Sequence, residues 1–291
     1  MPKLISRKDR VLDVFIYGFC ILLILVCLLP ILHVAARSVS SADKLIRGEV
    51  LLLPRGFTLD AYTKVFQNAI YVRSLIWTVI LTIISTLASL TMTVLCAYPL
   101  IYRGLKGRKF INAFIIVTMY LNAGTIPNYL LMKDLNLIGN PLVLILPGVL
   151  SVFNMIIMRS FFYGIPTSLR ESAEIDGAGY GRILFSIYLP LSKPVLATLT
   201  LFYAVGRWNG FTDALMYMND RKWHPIQLLL YNILNSVTSM EVATQEGFST
   251  PGIAETLQAA SIMIATIPIL IVYPWLQKYF IAGATLGAIK E

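Results

Sequence analysis

The residues best suited to chemistry inside an apolar segment lie between positions 203 and 217. Arg207 and Asp213 interrupt that segment, and ionisable residues in such a setting are costly and usually face a cavity or a partner. They are six residues apart, so on a continuous helix they form no i,i+4 pair, and we expect each to need a partner elsewhere. One interpretation is polar contact between helices. The other is a path for a solute, because aromatic faces and amides suit sugar rings and hydroxyls. The path would be formed by Tyr203, Arg207, Trp208, Asn209, Asp213 and Tyr217.

A second group of polar and small residues fills a loop between two apolar runs, at 164–193. Ser168 and Glu171 have capping-box spacing and predict the start of a helix. Gly177-Ala-Gly179 predicts its end. A second helix, 180–187, is expected to run until Pro190 turns the chain. The loop is therefore predicted to fold as a helix, a glycine hinge and a helix, whose small residues at 172, 173, 177 and 178 would let another surface approach closely.

Catalytic and metal-binding patterns are missing from the sequence. His33 and His224 are isolated, the three cysteines lie in apolar runs, and no paired carboxylates occur inside those runs. The G-x-x-x-x-G-K-[ST] phosphate loop is also missing, so this chain is not expected to supply an ATP site. We predict a protein that is not an enzyme and that holds no metal or cofactor of its own.

The elements that must position these residues are membrane spans. Hydrophobic residues make up 57% of the 291 residues and charged residues 13%, with a mean hydropathy of +0.73. A spanning helix needs about 20 mainly apolar residues. One all-α transmembrane domain over 1–291 is predicted, with six spans at approximately 12–36, 74–102, 110–132, 138–161, 194–217 and 256–279.

The distribution of Lys and Arg predicts the orientation of these spans. The N-terminus, the basic loop 103–109 and the loop 164–193 carry the positive charge that marks cytoplasmic segments. The external loop after the first span is also basic, but it is long enough for the rule to weaken. An even number of spans places both termini in the cytoplasm. Topology thus accounts for the net charge of +9, and nucleic-acid binding is not expected.

Four amides lie in the predicted third and fourth spans. Such residues hydrogen-bond between helices more often than they bind ligands. They are Asn112, Asn122, Asn128 and Asn154.

The 164–193 loop resembles the "EAA" coupling loop of inner-membrane permeases from bacterial ATP-binding-cassette (ABC) importers. The matching stretch is Glu171-Ser-Ala-Glu-Ile-Asp-Gly-Ala178 followed by Ile187-Tyr-Leu-Pro190, and it departs from the family pattern at Ser172, where Ala is usual. Ala97-Tyr-Pro-Leu100, Trp208-Asn-Gly-Phe211 and the C-terminal Gln277–Gly283 stretch resemble the maltose-type (MalG-like) carbohydrate permeases. The nearest resemblance is to the LplC-like branch of aldouronate and multiple-sugar permeases.

The resemblance implies a type I (MetI-like) importer permease fold and a role as half of a translocation path for oligosaccharides. The implied assembly contains a second homologous permease, two ATPase subunits that bind ATP and Mg²⁺, and an extracytoplasmic sugar-binding protein, in the lipid of a bacterial plasma membrane. ATPase coupling would fall to Glu171, Ser172, Ala173, Asp176, Gly177, Ala178, Ile187, Leu189 and Pro190.

Three questions stay open at this point. Arg207 could favour an acidic sugar electrostatically. An amino-acid or peptide importer would share the coupling loop. An ion-coupled secondary transporter would need intramembrane carboxylates, for which only Asp213 qualifies.

Overall fold

The computed structural model describes residues 7–121, 123–236 and 251–288, and within these ranges the chain is helical and contains no strand. A single antiparallel bridge joins Ser40 to Phe57. The helices are α1 (Arg7–Ser38), α2 (Ala42–Ile46), α3 (Asp60–Gln67), α4 (Ala69–Ala97), α5 (Arg108–Tyr120), α6 (Thr125–Asp134), α7 (Val152–Gly164), α8 (Thr167–Ile175), α9 (Tyr180–Ile183), α10 (Leu189–Leu191), α11 (Lys193–Asn209), α12 (Thr212–Tyr217), α13 (Ile226–Ser236) and α14 (Pro251–Ala288).

Helices long and apolar enough to cross a membrane occur three times in the described residues, at Leu12–Ser38, Ala69–Ile101 and Gly252–Val272. They correspond to the predicted first, second and sixth spans. Two further crossings would be bent pairs: α5 with α6, at 115°, and Tyr180–Leu191 with α11, at 81°. The sequence therefore identified the apolar segments, but uninterrupted helices form in only part of them.

The predicted spans at 110–132, 138–161 and 194–217 are not continuous helices. The first breaks at Leu121–Gly124, where Gly124 has a φ of 89°. The second begins as a 3-10 turn at Pro141–Leu144 and reaches α7 only after the Pro147-Gly148 pair. The third ends at Asn209, and Gly210 is extended before α12 begins. Proline and glycine explain these interruptions, because proline lacks a backbone donor and glycine permits conformations that end helices.

The chain divides into two compact units. The first consists of Met1–Val72 with Leu230–Thr266. Within it, Arg37 at the end of α1 pairs with Glu255 of α14 at 2.6 Å, and the Tyr71 hydroxyl donates to the Ser261 carbonyl at 2.8 Å. A Cβ at Gly252 would lie 2.5 Å from the Ile46 side chain and 3.0 Å from the Ala42 carbonyl oxygen, so a larger residue there would require α2 or the Ile46 side chain to shift.

The second unit, Arg73–Leu229 with Ile267–Glu291, contains the loop and the polar residues identified from the sequence. Its main apolar cluster joins the end of α4, α7, the 180–191 segment and the start of α11. The aligned hydroxyls of α4 form a buried stripe at helical spacing on the same helix. The stripe consists of Ser74, Thr78, Ser85, Thr86, Ser89 and Thr93.

Candidate functional site

The first helix of the 164–193 loop, α8, begins differently from the prediction. Pro166 is its N-cap residue and makes no side-chain cap hydrogen bond, so the predicted Ser168–Glu171 capping box is wrong. Ser168 already lies inside the helix because the chain is extended at Ile165 and Pro166 and turns helical at Thr167. Glu171 instead faces Arg170 at 3.7 Å, and Glu174 pairs with Arg170 at 3.4 Å.

The end of α8 confirms the predicted glycine hinge. Gly177 has a φ of 76°, a left-handed conformation that costs other residues about 1–2 kcal/mol. The Ala178 amide donates to the Ala173 carbonyl at 2.9 Å, and the Gly177 amide donates to the Glu174 carbonyl at 3.1 Å. This pair of bonds is a Schellman motif, which satisfies the last carbonyls of the helix. A Cβ at Gly177 would have no atom within 4 Å, so the space beside the hinge is open.

The second helical segment runs farther than predicted. It starts at Tyr180 as expected, passes through a π-helical stretch at Leu184–Tyr188, and ends with α10 at Leu191. The prediction that Pro190 turns the chain is wrong, because Pro190 lies within α10 and the bend comes at Ser192. A π turn has a wider backbone than an α turn, which accommodates a proline that cannot donate to the preceding turn.

Tyrosines fasten this loop to the end of α4. The Tyr98 hydroxyl donates to the Tyr180 carbonyl at 2.9 Å and accepts a bond from Tyr102 at 2.6 Å. The Arg170 guanidinium lies 5.2 Å over the Tyr102 ring, in a cation–π arrangement. Because the Tyr98 hydroxyl donates its hydrogen to the Tyr180 carbonyl, Tyr102 is the donor in the bond between the two hydroxyls. Tyr188 packs edge-on against Tyr98 with ring centroids 5.3 Å apart. The loop is therefore bonded to and packed against the segment that directly follows α4.

The nine residues predicted for coupling occupy two faces of the loop. The half-buried ones pack on the apolar cluster: Ala173, Ala178, Ile187 and Leu189. The exposed ones are Glu171, Ser172, Asp176, Gly177 and Pro190. Two large apolar side chains flank the exposed glycine: Ile175 is 87% exposed and Tyr180 is 68% exposed. We call the exposed set Ser172, Ile175, Asp176, Gly177 and Tyr180 the outer face of the loop. The outer face thus combines small residues with two large exposed side chains.

Arg207 and Asp213 form an ion pair, and the prediction that each needs a separate partner is wrong. Arg207 Nη2 donates to Asp213 Oδ1 at 3.0 Å, and Arg207 Nη1 donates to the other carboxylate oxygen. The prediction assumed one continuous helix. Because α11 ends at Asn209, Asp213 in the first turn of α12 folds back over Arg207 in the last turn of α11. Both charges lie at the helix ends that favour them.

The same guanidinium also donates hydrogen bonds to two backbone carbonyls. Arg207 Nη1 donates to the Leu144 carbonyl at 2.8 Å, and Nη2 donates to the Gly210 carbonyl at 3.1 Å. The Arg207 side chain is 11% exposed and that of Asp213 is 30% exposed. Since the carboxylate offsets the positive charge, Arg207 offers little net attraction to an acidic solute. The structure thus weakens the expectation that Arg207 selects acidic sugars by charge.

A polar cavity of about 340 Å³ opens beside this ion pair, between α4, α7 and α11. At one end Arg207 bonds to the Leu144 carbonyl. At the other end the Tyr203 hydroxyl bonds to Thr93 at 2.7 Å and accepts from the Ser151 amide at 3.3 Å. Its polar lining consists of Ser85, Ser89, Ser151, Asn154, Tyr203 and Arg207.

Only two of the six residues predicted to form a solute path line this cavity, Tyr203 and Arg207. Trp208 lines a separate apolar cavity of about 350 Å³ on another side of α11. Asn209 is exposed, and Asp213 reaches the site only through Arg207. Tyr217 is buried and stacks on Tyr129 with ring centroids 6.0 Å apart.

Sequence reasoning missed the α4 hydroxyls and the tyrosine contacts. The hydroxyls repeat every three to four residues along the predicted second span, and this periodicity could have identified a polar face. Of the four amides, Asn112 accepts a hydrogen bond from Arg159 across α5 and α7, as expected. Asn154 lines the polar cavity, and Asn122 lies outside the described residues. The tyrosine contacts had no local signal, since Tyr98 and Tyr180 are 82 positions apart.

Comparison with known proteins agrees with this arrangement. Residues 89–285 match the family model described as "Binding-protein-dependent transport system inner membrane component". The chain is 42% identical to the "Polygalacturonan/rhamnogalacturonan transport system permease protein YtcP" of Bacillus subtilis, over 97% of this chain and 99% of that protein. It is 39% identical to "Protein LplC" of the same organism, over 98% and 97% respectively.

A solved structure with the same fold comes from "a bacterial ABC transporter involved in the import of the acidic polysaccharide alginate". The TM-score is 0.87 at 33% identity, covering 94% of this chain and 98% of that chain. The match to the family model and these similarities over nearly the whole length bear out the resemblance noted in the sequence. The chain belongs to the family of inner membrane components of binding-protein-dependent transport systems, and it is a multi-pass membrane protein with an ABC importer permease fold.

Proposed function

We propose that this chain is a permease subunit of an ATP-driven importer for oligosaccharides that contain uronate units. One observation carries the substrate class. Similarity in sequence leads to a polygalacturonan/rhamnogalacturonan permease and similarity in structure leads to an alginate importer, and both of these proteins are named for polymers of carboxylated sugars. An amino-acid or peptide importer and an ion-coupled transporter have no comparable support.

The 164–193 loop is the proposed site of coupling to an ATPase. Its outer face presents Ile175 beside an open glycine hinge, so a partner groove can accept the apolar side chain while its surface approaches Gly177 closely. On the opposite side the loop is anchored through Tyr98 and the apolar cluster. A push on the outer face would therefore move α4 and α11 together rather than deform the loop.

The proposed assembly follows the family description, which requires a substrate-binding protein. A second homologous permease would complete the path, and two separate ATPase subunits would bind ATP and Mg²⁺. This chain would hold no cofactor of its own. We propose six membrane crossings, some made by bent helices, with both termini and the 164–193 loop on the cytoplasmic side of a bacterial plasma membrane.

Uptake by the purified complex tests this function. The chain would be affinity-tagged, isolated from native membranes with its partners, identified by mass spectrometry and reconstituted into proteoliposomes. Labelled trigalacturonate and the neutral trisaccharide maltotriose would then be compared, with the binding protein and with or without ATP inside the acceptor compartment. We expect ATP-dependent uptake of trigalacturonate well above that of maltotriose. Uptake without ATP, or of maltotriose alone, would contradict the proposal.

A further inference from the structure

The polar cavity between α4, α7 and α11 contains donors that the described part of the chain leaves unsatisfied. Ser85 is 7% exposed, its hydroxyl has no hydrogen-bond partner among the described residues, and the same is true of Arg207 Nε. Both residues line the cavity. Buried polar groups normally find a partner, and leaving one unpaired costs stability. Other buried hydroxyls, such as that of Thr86, are in the same state without lining the cavity, so the argument for a ligand rests on the whole set of polar side chains around this space.

The cavity lies at a depth that suits a transported solute. Tyr203 and Arg207 are ten and fourteen residues beyond Lys193, or about 15 and 21 Å along α11 at 1.5 Å per residue. A hydrocarbon core is about 30 Å thick, so the cavity falls near its middle if α11 starts at the membrane surface. A lipid headgroup does not reach this depth. The volume of about 340 Å³ is within the range of small-molecule sites.

The chemistry of the lining selects hydroxyl groups over carboxylates. Ser85, Ser89 and Ser151 carry hydroxyls that both donate and accept, and Asn154 offers an amide. Among the described residues that line the cavity, Arg207 alone is formally charged, and Asp213 pairs with both of its terminal nitrogens. What remains for a ligand is a set of neutral hydroxyl and amide groups that donate and accept hydrogen bonds.

From these observations we infer that this permease itself holds one sugar unit of the transported oligosaccharide in the polar cavity, through the sugar's hydroxyls and not through its carboxylate. This inference rests on the proposed import of oligosaccharides. It assigns a binding role to Ser85 and Ser89 on α4 and to Asn154 on α7. Trp208 and Tyr217 are excluded from this subsite.

The first test removes one hydroxyl. Ser85→Ala should raise the KM for trigalacturonate uptake about three- to tenfold, the effect of losing one neutral hydrogen bond, with little change in maximal rate. Thr86→Val is the matched control. Thr86 is the next residue on α4, it is equally buried, and its hydroxyl also lacks a partner among the described residues, but it does not line the cavity. Thr86→Val should leave KM unchanged.

The second test fills the cavity. Gly206 lines it, and a Cβ there would meet no atom within 4 Å, so Gly206→Leu starts an apolar side chain in open space and improves helix propensity. We expect at least a tenfold loss of uptake with the complex still assembled. Ala204→Leu, two residues earlier on α11, fills the apolar cavity instead and should retain uptake.

The outcomes separate this inference from the function on which it rests. If the wild-type complex does not import trigalacturonate, the proposed function fails. If it does, but Ser85→Ala and Gly206→Leu transport normally, only the sugar subsite is wrong. If Gly206→Leu instead releases the second permease during purification, the cavity is covered by that subunit and the inference is overturned.

Discussion

The 164–193 loop and the polar cavity differ in what they offer to another molecule. The loop presents an exposed outer face, on which the large side chains of Ile175 and Tyr180 flank the open glycine hinge. The cavity instead presents a recessed lining of serine hydroxyls and an amide, in which the Ser85 hydroxyl has no partner among the described residues. The difference fits the two proposed roles, in which the loop binds a protein partner and the cavity receives part of a solute.

The largest effect is expected at the glycine hinge. Gly177→Asp places a charge and a side chain on the outer face, and we expect uptake to fall by at least about 100-fold, the effect of losing a positioned contact, while the protein stays in the membrane. Proteoliposome uptake and the amount of co-purified ATPase are the measurements.

Two controls separate charge from backbone strain at the hinge. Gly177→Asn keeps the shape and tolerates a positive φ, so it should retain more uptake than Gly177→Asp. Gly107→Asp adds the same charge at a glycine that has the same φ of 76° and no atom within 4 Å of a Cβ, but lies in the basic loop before α5. If Gly107→Asp lost as much uptake as Gly177→Asp, the effect would not be specific to the hinge.

The next largest effect is expected at the ion pair beside the cavity. Arg207→Ala leaves Asp213 partly buried and opens the bonds to Leu144 and Gly210, so we expect destabilisation of about 2–4 kcal/mol, seen as a lower melting temperature in detergent. The double variant Arg207→Met with Asp213→Leu removes both charges and should be closer to wild type. If the double variant were less stable than Arg207→Ala, the unpaired Asp213 charge would not be the cause of the destabilisation.

A smaller effect is expected from the tyrosine anchor. Tyr98→Phe removes the bond to the Tyr180 carbonyl, and we expect a loss of about 1 kcal/mol together with faster amide hydrogen exchange in α8 and α9. Tyr17→Phe, on the exposed surface of α1, is the matched control and should change neither quantity. Unchanged exchange in Tyr98→Phe would mean that the loop is held by its apolar contacts alone.

Features that depend on one residue or on a short segment were predicted from the sequence, whereas features that depend on breaks between helices were not. Gly177 identified the hinge because a single residue determines a left-handed turn. The apolar segments were found by composition, but their breaks at Gly124, Pro147 and Gly210 were underestimated. One of those breaks joins Arg207 to Asp213, so treating 194–217 as one helix produced the wrong partners.

The polar cavity could not be predicted in full, because three helices contribute to it. Only their packing brings Ser85, Asn154 and Tyr203 to the same space. The hydroxyl period on α4 was visible in the sequence, but serine and threonine in membrane helices often bond to their own backbone, as Thr78 does to the Ser74 carbonyl at 2.7 Å. The spacing of the hydroxyls alone therefore could not show whether they line a binding site or bond to the backbone of their own helix.

The most direct test of the proposed coupling through the 164–193 loop is to identify the protein that contacts Ile175. A photoreactive amino acid would be introduced there in the native complex, illuminated, and its products identified by mass spectrometry. Leu53, which is similarly exposed at 74% and lies in the loop predicted to be external, is the control position. We predict that position 175 joins to an ATP-binding-cassette ATPase and that position 53 does not. Cross-linking of the ATPase at Leu53, or its failure at Ile175 in an assembled complex, would contradict the account.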